Sequence, residues 1–143
     1  MSAKRTASTT WEGDLAHGAG TLSITSGATG DLPVTWASRT ERSDGKTSPE
    51  ELIAAAHASC FSMALSHGLA QAGTPAEKLD VDATVTFVPG TGITKSALTV
   101  RGVVPGIEEP AFLHAAEDAK TNCPVSKALA GVGEITLDAQ LGR

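Results

Sequence analysis

The sequence predicts an α+β protein, and three observations carry that prediction. About the first 40 residues are strand-like, one long apolar helix follows residue 48, and a hairpin then leads into short helices and a last strand. The regular βαβ alternation of a parallel sheet is missing from this order. At 143 residues the chain fits a single domain over 1–143, a size that buries about 68–70% of the surface its unfolded form exposes. Aromatics make up 3% and tyrosine is absent, so the core must come from Ala, Val, Leu and Ile.

Residues 6–12, 20–25 and 34–39 are rich in Thr, Ser, Val and Trp and read as strands, separated by turns such as Glu12-Gly13-Asp14 and Gly30-Asp31-Leu32-Pro33. The period then changes. Ser48 is a predicted N-cap, Pro49 suits the first helical position, and Glu51 completes a capping box. Apolar and small residues continue to Ala72, where Gly73 and Pro75 supply the stop. The helix predicted over 48–72 is about 36 Å long. Its apolar residues (Leu52, Ile53, Ala56, Cys60, Met63, Ala64, Leu69) surround it, so it should be buried on most sides, with a second subunit as a reasonable cover. Strands over 79–88 and 93–103 flank the turn Pro89-Gly90-Thr91-Gly92, with Val81, Ala83, Val85 and Phe87 facing one way. Helices over 108–120 and 124–130 and a strand over 134–140 complete the chain.

A net charge of −5 and no Lys/Arg cluster argue against nucleic acid or an anionic membrane as a partner. The N-terminus lacks the apolar core of an export signal, and no apolar stretch approaches a membrane span, which predicts a cytoplasmic protein. In that compartment a disulfide is more often transient and catalytic than structural. The four histidines are scattered, no Cys-x-x-Cys occurs, and no phosphate loop is present, so neither a metal nor a cofactor is expected.

The chemistry-bearing residues are then Cys60 and Cys123. His57 lies one turn from Cys60 and could form a thiolate–imidazole pair, although the plainer reading is a packed or hydrogen-bonded histidine. His67 has the same plain reading, and His114 in the later helix is most simply solvent-facing. Cys60 sits in mid-helix, where no macrodipole helps it, and an apolar setting would leave it inert unless a cation is supplied. Arg39, at the end of the third strand, is the best local candidate, with Arg42 behind it. Cys123, just ahead of Pro124, would occupy an N-cap, where the dipole favours a thiolate. Spacing alone therefore makes Cys123 the more acidic thiol.

At these residues the chain resembles the OsmC branch of the OsmC/Ohr family of thiol peroxidases. The resemblance runs from Trp11-Glu12-Gly13-Asp14 through Ser48-Pro49-Glu50-Glu51 and Ala56-His57-Ala58-Ser59-Cys60-Phe61-Ser62-Met63 to Asn122-Cys123-Pro124-Val125-Ser126 and Glu134-Ile135-Thr136-Leu137. It implies antiparallel sheets around a long central helix in an intertwined homodimer. It also implies a peroxidase of organic hydroperoxides, less efficient with hydrogen peroxide. On this resemblance Cys60 is the peroxidatic thiol and Cys123 the resolving thiol that closes a disulfide. Arg39 and Glu50 match the family's arginine and glutamate. Attack is thereby reassigned from Cys123 to Cys60. The implied reductant is an external dithiol, a lipoyl protein being the family's example.

Ten helical residues separate Glu50 from Cys60 by about 15 Å along the axis. Glu50 therefore reaches Cys60 either through an interposed Arg39 or, more simply, in an arrangement where a partner subunit delivers Glu50, Arg39 or both. The substrate pocket is expected to be apolar, near Phe61, Met63 and Trp36, unless those three are core. Two rivals stand beside the peroxidase: a Cys60–His57 thiol hydrolase or transferase, and a non-enzymatic stress or ligand-binding protein.

Overall fold

The computed structural model describes residues 1–142, which divide into two compact units, Met1–Leu52 and the chain from Ile53 onward. In the first unit, β1 (Ala7–Glu12), β2 (Ala19–Ile24) and β3 (Leu32–Val34) form an antiparallel meander in the order β1-β2-β3. Gly20 in β2 is required by close approach. A Cβ there would stand 2.8 Å from the Trp11 ring and 2.9 Å from Val34. The unit buries little, and Leu22 is its one buried apolar residue among those described.

The strand predicted over 34–39 is not formed beyond Val34. Residues Trp36–Thr40 are a short helix, α1, because Thr35 caps it. Thr35 Oγ1 accepts the Ser38 N–H at 3.0 Å, while Ser38 Oγ accepts the Thr35 N–H at 2.9 Å. The Thr and Ser that read as strand formers are the two halves of a capping box. Arg39 is consequently a helical residue.

The long helix, α2 (Pro49–Gln71), runs into the second unit within one residue of its expected end. Ser48 Oγ accepts the Glu51 N–H at 3.1 Å, but the Glu51 carboxylate accepts from the Thr47 hydroxyl at 2.7 Å. The expected capping box is thus replaced in half by a Thr–Glu bond. At the other end Gly73 adopts φ +89°, with Thr74 N–H donating to Leu69 and Gly73 N–H to Ala70. This pair of bonds is a Schellman motif.

The second unit adds β4 (Lys78–Val88), β5 (Gly92–Val103), α3 (Glu109–Asn122), α4 (Pro124–Ala128) and β6 (Glu134–Leu141). β4 and β5 form the expected antiparallel hairpin. β6 instead pairs parallel with β5, Lys95 opposite Glu134 and Gly102 opposite Leu141, which corrects the expectation of wholly antiparallel sheets. The cause lies in the connection. A helical crossover through α3 and α4 returns the chain to the start of β5, the arrangement that parallel pairing requires.

One stripe of α2 (His57, Phe61, Leu65 and Leu69, four residues apart) packs into this unit's core with Leu98 and Val100 of β5 and Phe112 and Ala116 of α3. Each large apolar side chain so buried contributes roughly 1.5–3 kcal/mol. Within one chain Leu52, Ile53, Cys60 and Ala64 are half-buried, while Ala55, Ala56, Ser59 and Ser66 are exposed and Met63 is 72% exposed. The sequence expectation about apolar length also needs correction, because α2 has the length and mean hydropathy (1.3) of a membrane span. Its buried stripe, however, carries this unit's core.

Candidate active site

Both cysteines belong to the second unit and both are free thiols. Cys60 is half-buried in the middle of α2, while Cys123 is fully buried between α3 and α4, where Pro124 begins the shorter helix. The two thiols lie close enough for each to shift the other's ionisation. Burial pushes the Cys60 thiol up, and its bond to Cys123 adds to that; only the Val125 N–H opposes. Burial also acts to raise Cys123. There the Cys60 thiol, the Ser126 N–H and hydroxyl and the Val125 N–H outweigh it and hold Cys123 below the ordinary thiol value. Within the chain, Cys123 is the more acidic sulfur, the direction expected from the sequence, but the Cys60 thiol contributes most to the lowering.

His57 takes no part with Cys60. It is fully buried, with Nδ1 2.7 Å from Ser96 Oγ on β5 and Nε2 2.8 Å from Ser126 Oγ on α4. Burial lowers its pKa and so favours the neutral ring. A Cys60–His57 catalytic pair would need one of those nitrogens, and serine hydroxyls engage both. His67 and His114 are exposed. Ser96 and Ser126 were missed by sequence reasoning, although Ser126 lies three residues beyond Cys123, one helical turn away.

Arg39 and Glu50 meet in the first unit. Arg39 Nε lies 3.0 and 3.2 Å from the two Glu50 oxygens, and Nη2 lies 3.0 Å from Oε2. This is a two-pronged fork on a carboxylate that is only 6% exposed, and it fixes the plane of the guanidinium. The Arg39 guanidinium also stacks 5.8 Å from the Trp36 ring centroid. Its nearby apolar cavity, about 380 Å³, is lined by Trp11, Leu22, Val34, Trp36, Arg39 and Leu52, among others. Of the expected pocket residues, Trp36 lines this cavity, Phe61 is core at 0% exposure, and Met63 is open surface. The four predicted site residues thus stand as two pairs, Cys60 with Cys123 and Arg39 with Glu50.

Residues 42–138 match the family model described as OsmC-like protein. The chain is 46% identical over 134 residues to proteins named peroxiredoxin OsmC in Escherichia coli K12 and Shigella flexneri, with 92% of each chain covered. Among solved structures it is similar to an OsmC-like protein from Mycoplasma pneumoniae, with a TM-score of 0.74 at 14% identity over 100% of both chains. It is also similar to the organic hydroperoxide resistance protein OhrB of Bacillus subtilis, with a TM-score of 0.67 at 22% identity over 96% of this chain and 98% of that one. These two likenesses establish the fold.

Proposed function

The chain belongs to the OsmC-like family, and from that membership we propose that it is a thiol peroxidase reducing organic hydroperoxides to alcohols through Cys60 and Cys123. One observation supports this reading above the rest: the two thiols, 63 residues apart in the sequence, come close enough in the reduced protein for each to shift the other's ionisation.

In the proposed reaction the Cys60 thiolate attacks the distal peroxide oxygen. The O–O bond breaks, the alkoxide leaves and is protonated to the alcohol, and Cys60 becomes a sulfenic acid. The Cys123 thiolate then attacks the Cys60 sulfur, and hydroxide leaves as water. An external dithiol returns both thiols by exchange and is itself oxidised to a disulfide. Burial pushes Cys60 up, so the first step requires a cation. Arg39 is assigned that role, stabilising the thiolate and the charge that develops as the O–O bond breaks, with Glu50 fixing its orientation.

The assembly is proposed to be a homodimer in which Arg39 and Glu50, held to each other, reach Cys60 from the partner subunit. Support comes from the open apolar face of α2 and from the spacing of Glu50 and Cys60 along that helix. The apolar cavity beside Arg39 suits an alkyl or aryl hydroperoxide. The cytoplasm, where thiols are kept reduced, is the proposed setting. Consumption of cumene hydroperoxide with a dithiol, by the wild type, Cys60→Ser and Cys123→Ser, tests the reading. Activity should vanish in Cys60→Ser and be lost or altered in its reductant dependence in Cys123→Ser. A wild type inactive with dithiol and monothiol alike would end it.

A further inference from the structure

Three hydroxyl and imidazole groups lie buried behind Cys123 with no part in the reaction so far. Ser96, His57 and Ser126 come from β5, α2 and α4, and are 0%, 0% and 6% exposed. Their chain is Ser96 Oγ, 2.7 Å, His57 Nδ1; then His57 Nε2, 2.8 Å, Ser126 Oγ; Ser126 lies one helical turn after Cys123, and its hydroxyl helps to lower the Cys123 pKa. Both ring contacts are well inside hydrogen-bond range, and every polar group in the chain has a partner.

A serine hydroxyl has one proton to give. Whichever way it points, its other neighbour must act as donor. If His57 carries its proton on Nε2, that N–H donates to Ser126 Oγ, Nδ1 accepts from the Ser96 hydroxyl, and the Ser126 proton is directed at Cys123. If the proton is on Nδ1, the chain runs the other way: Nδ1–H donates to Ser96, and Ser126 donates to Nε2. The first arrangement solvates a thiolate at Cys123 and the second does not. His57 stays neutral in both.

Resting on the assignment of Cys123 as the resolving thiol, we infer that Ser126 is a further catalytic residue, donating to the Cys123 thiolate, and that His57, anchored by Ser96, is the positioning residue that directs the Ser126 proton. Disulfide closure forms the S–S bond from the Cys123 thiolate and breaks the S–O bond of the Cys60 sulfenic acid. The thiolate must therefore be present inside a fully buried site. A hydroxyl held by a neutral imidazole provides its solvation there without burying a second charge. Of titratable groups, Cys123 is met by Cys60 on α2, while both ring partners of His57 are serine hydroxyls.

The test needs no peroxide, so it stands apart from the success or failure of the peroxidase assignment. In Cys60→Ser protein, the ionisation midpoint of Cys123 is read by ultraviolet thiolate absorbance, with and without Ser126→Ala or Ser126→Thr. In the same background, ¹⁵N NMR of the His57 ring is followed across the Cys123 titration, which requires no change at His57. Ser126→Ala should raise the midpoint by about one to two pH units, and Ser126→Thr, which keeps the hydroxyl, should hold it near the parent. The ring proton should lie on Nδ1 below the midpoint and on Nε2 above it. An unmoved midpoint in Ser126→Ala, equal displacement in the Thr variant, or a tautomer indifferent to the titration would overturn the inference.

Discussion

Cys60 and Cys123 are chemically identical side chains that their surroundings drive apart. The chain lowers Cys123 and raises Cys60, so the proposed attack by Cys60 depends on a guanidinium. Arg39→Ala should cut kcat/KM for cumene hydroperoxide by roughly 10²–10³-fold, the loss typical of one donor to a developing oxyanion. Arg39→Lys should restore little, because a lysine cannot keep the two-pronged bond to Glu50. His57 adds a pH dependence to stability. Its folded pKa is lowered below 6.5, so the unfolded state binds more protons as pH falls through that value. Stability from this group is complete above pH 6.5 and declines toward acid. Urea unfolding of the reduced protein should show that decline, and it should be weaker in His57→Gln. That His57 is hydrogen-bonded agrees with its plainer sequence reading, but its partners Ser96 and Ser126 lie 39 and 69 residues away and carry no local signal. Arg39 was legible as a cation shortly before the long helix in sequence and Glu50 only through the motif around it, while the lowering of Cys123 owes most to the Cys60 thiol, which is distant in sequence.

The helices were read from local signals, and their success or failure follows how local those signals are. Helix α2 was legible at both ends because Ser48-Pro49 and Gly73 act within a turn of themselves. Gly73→Ala should lower stability by about 1 kcal/mol, since φ +89° strains any Cβ; a shift in thermal midpoint measures it. Helix α1 was misread because Thr35 and Ser38 suit a strand as well as a cap. Thr35→Ala should lose about 1 kcal/mol of that cap and reduce peroxidase turnover by loosening Arg39. Unchanged turnover would mean that Glu50 alone fixes the guanidinium. The parallel placement of β6 had no local signal at all, because pairing direction is set by the length and path of the α3–α4 crossover.

Considered as a whole molecule, the chain leaves too much apolar surface open. Among the described residues, the first unit buries a single apolar side chain, Leu22. Helix α2 leaves Met63 and its neighbours uncovered. A protein so thinly packed in part needs further burial, and a second copy of the chain is the proposed source. Sedimentation should give a dimer, and Met63→Lys should weaken it. Mixing Cys60→Ser chains, inactive alone, with the strongly impaired Arg39→Ala chains should raise peroxidase activity well above that of either if the arginine comes from the partner. No recovery from a mixture shown to exchange subunits would place Cys60 and Arg39 in the service of one chain.

The central claim is that Cys60 and Cys123 close a disulfide in the course of reducing an organic hydroperoxide. Its most direct measurement adds one equivalent of cumene hydroperoxide to reduced protein and maps the products by mass spectrometry. A Cys60–Cys123 linked peptide pair, with Cys60 sulfenic acid accumulating in Cys123→Ser, is the predicted result. Peroxide consumed with both thiols still free, or oxidation confined to Cys123, would contradict it.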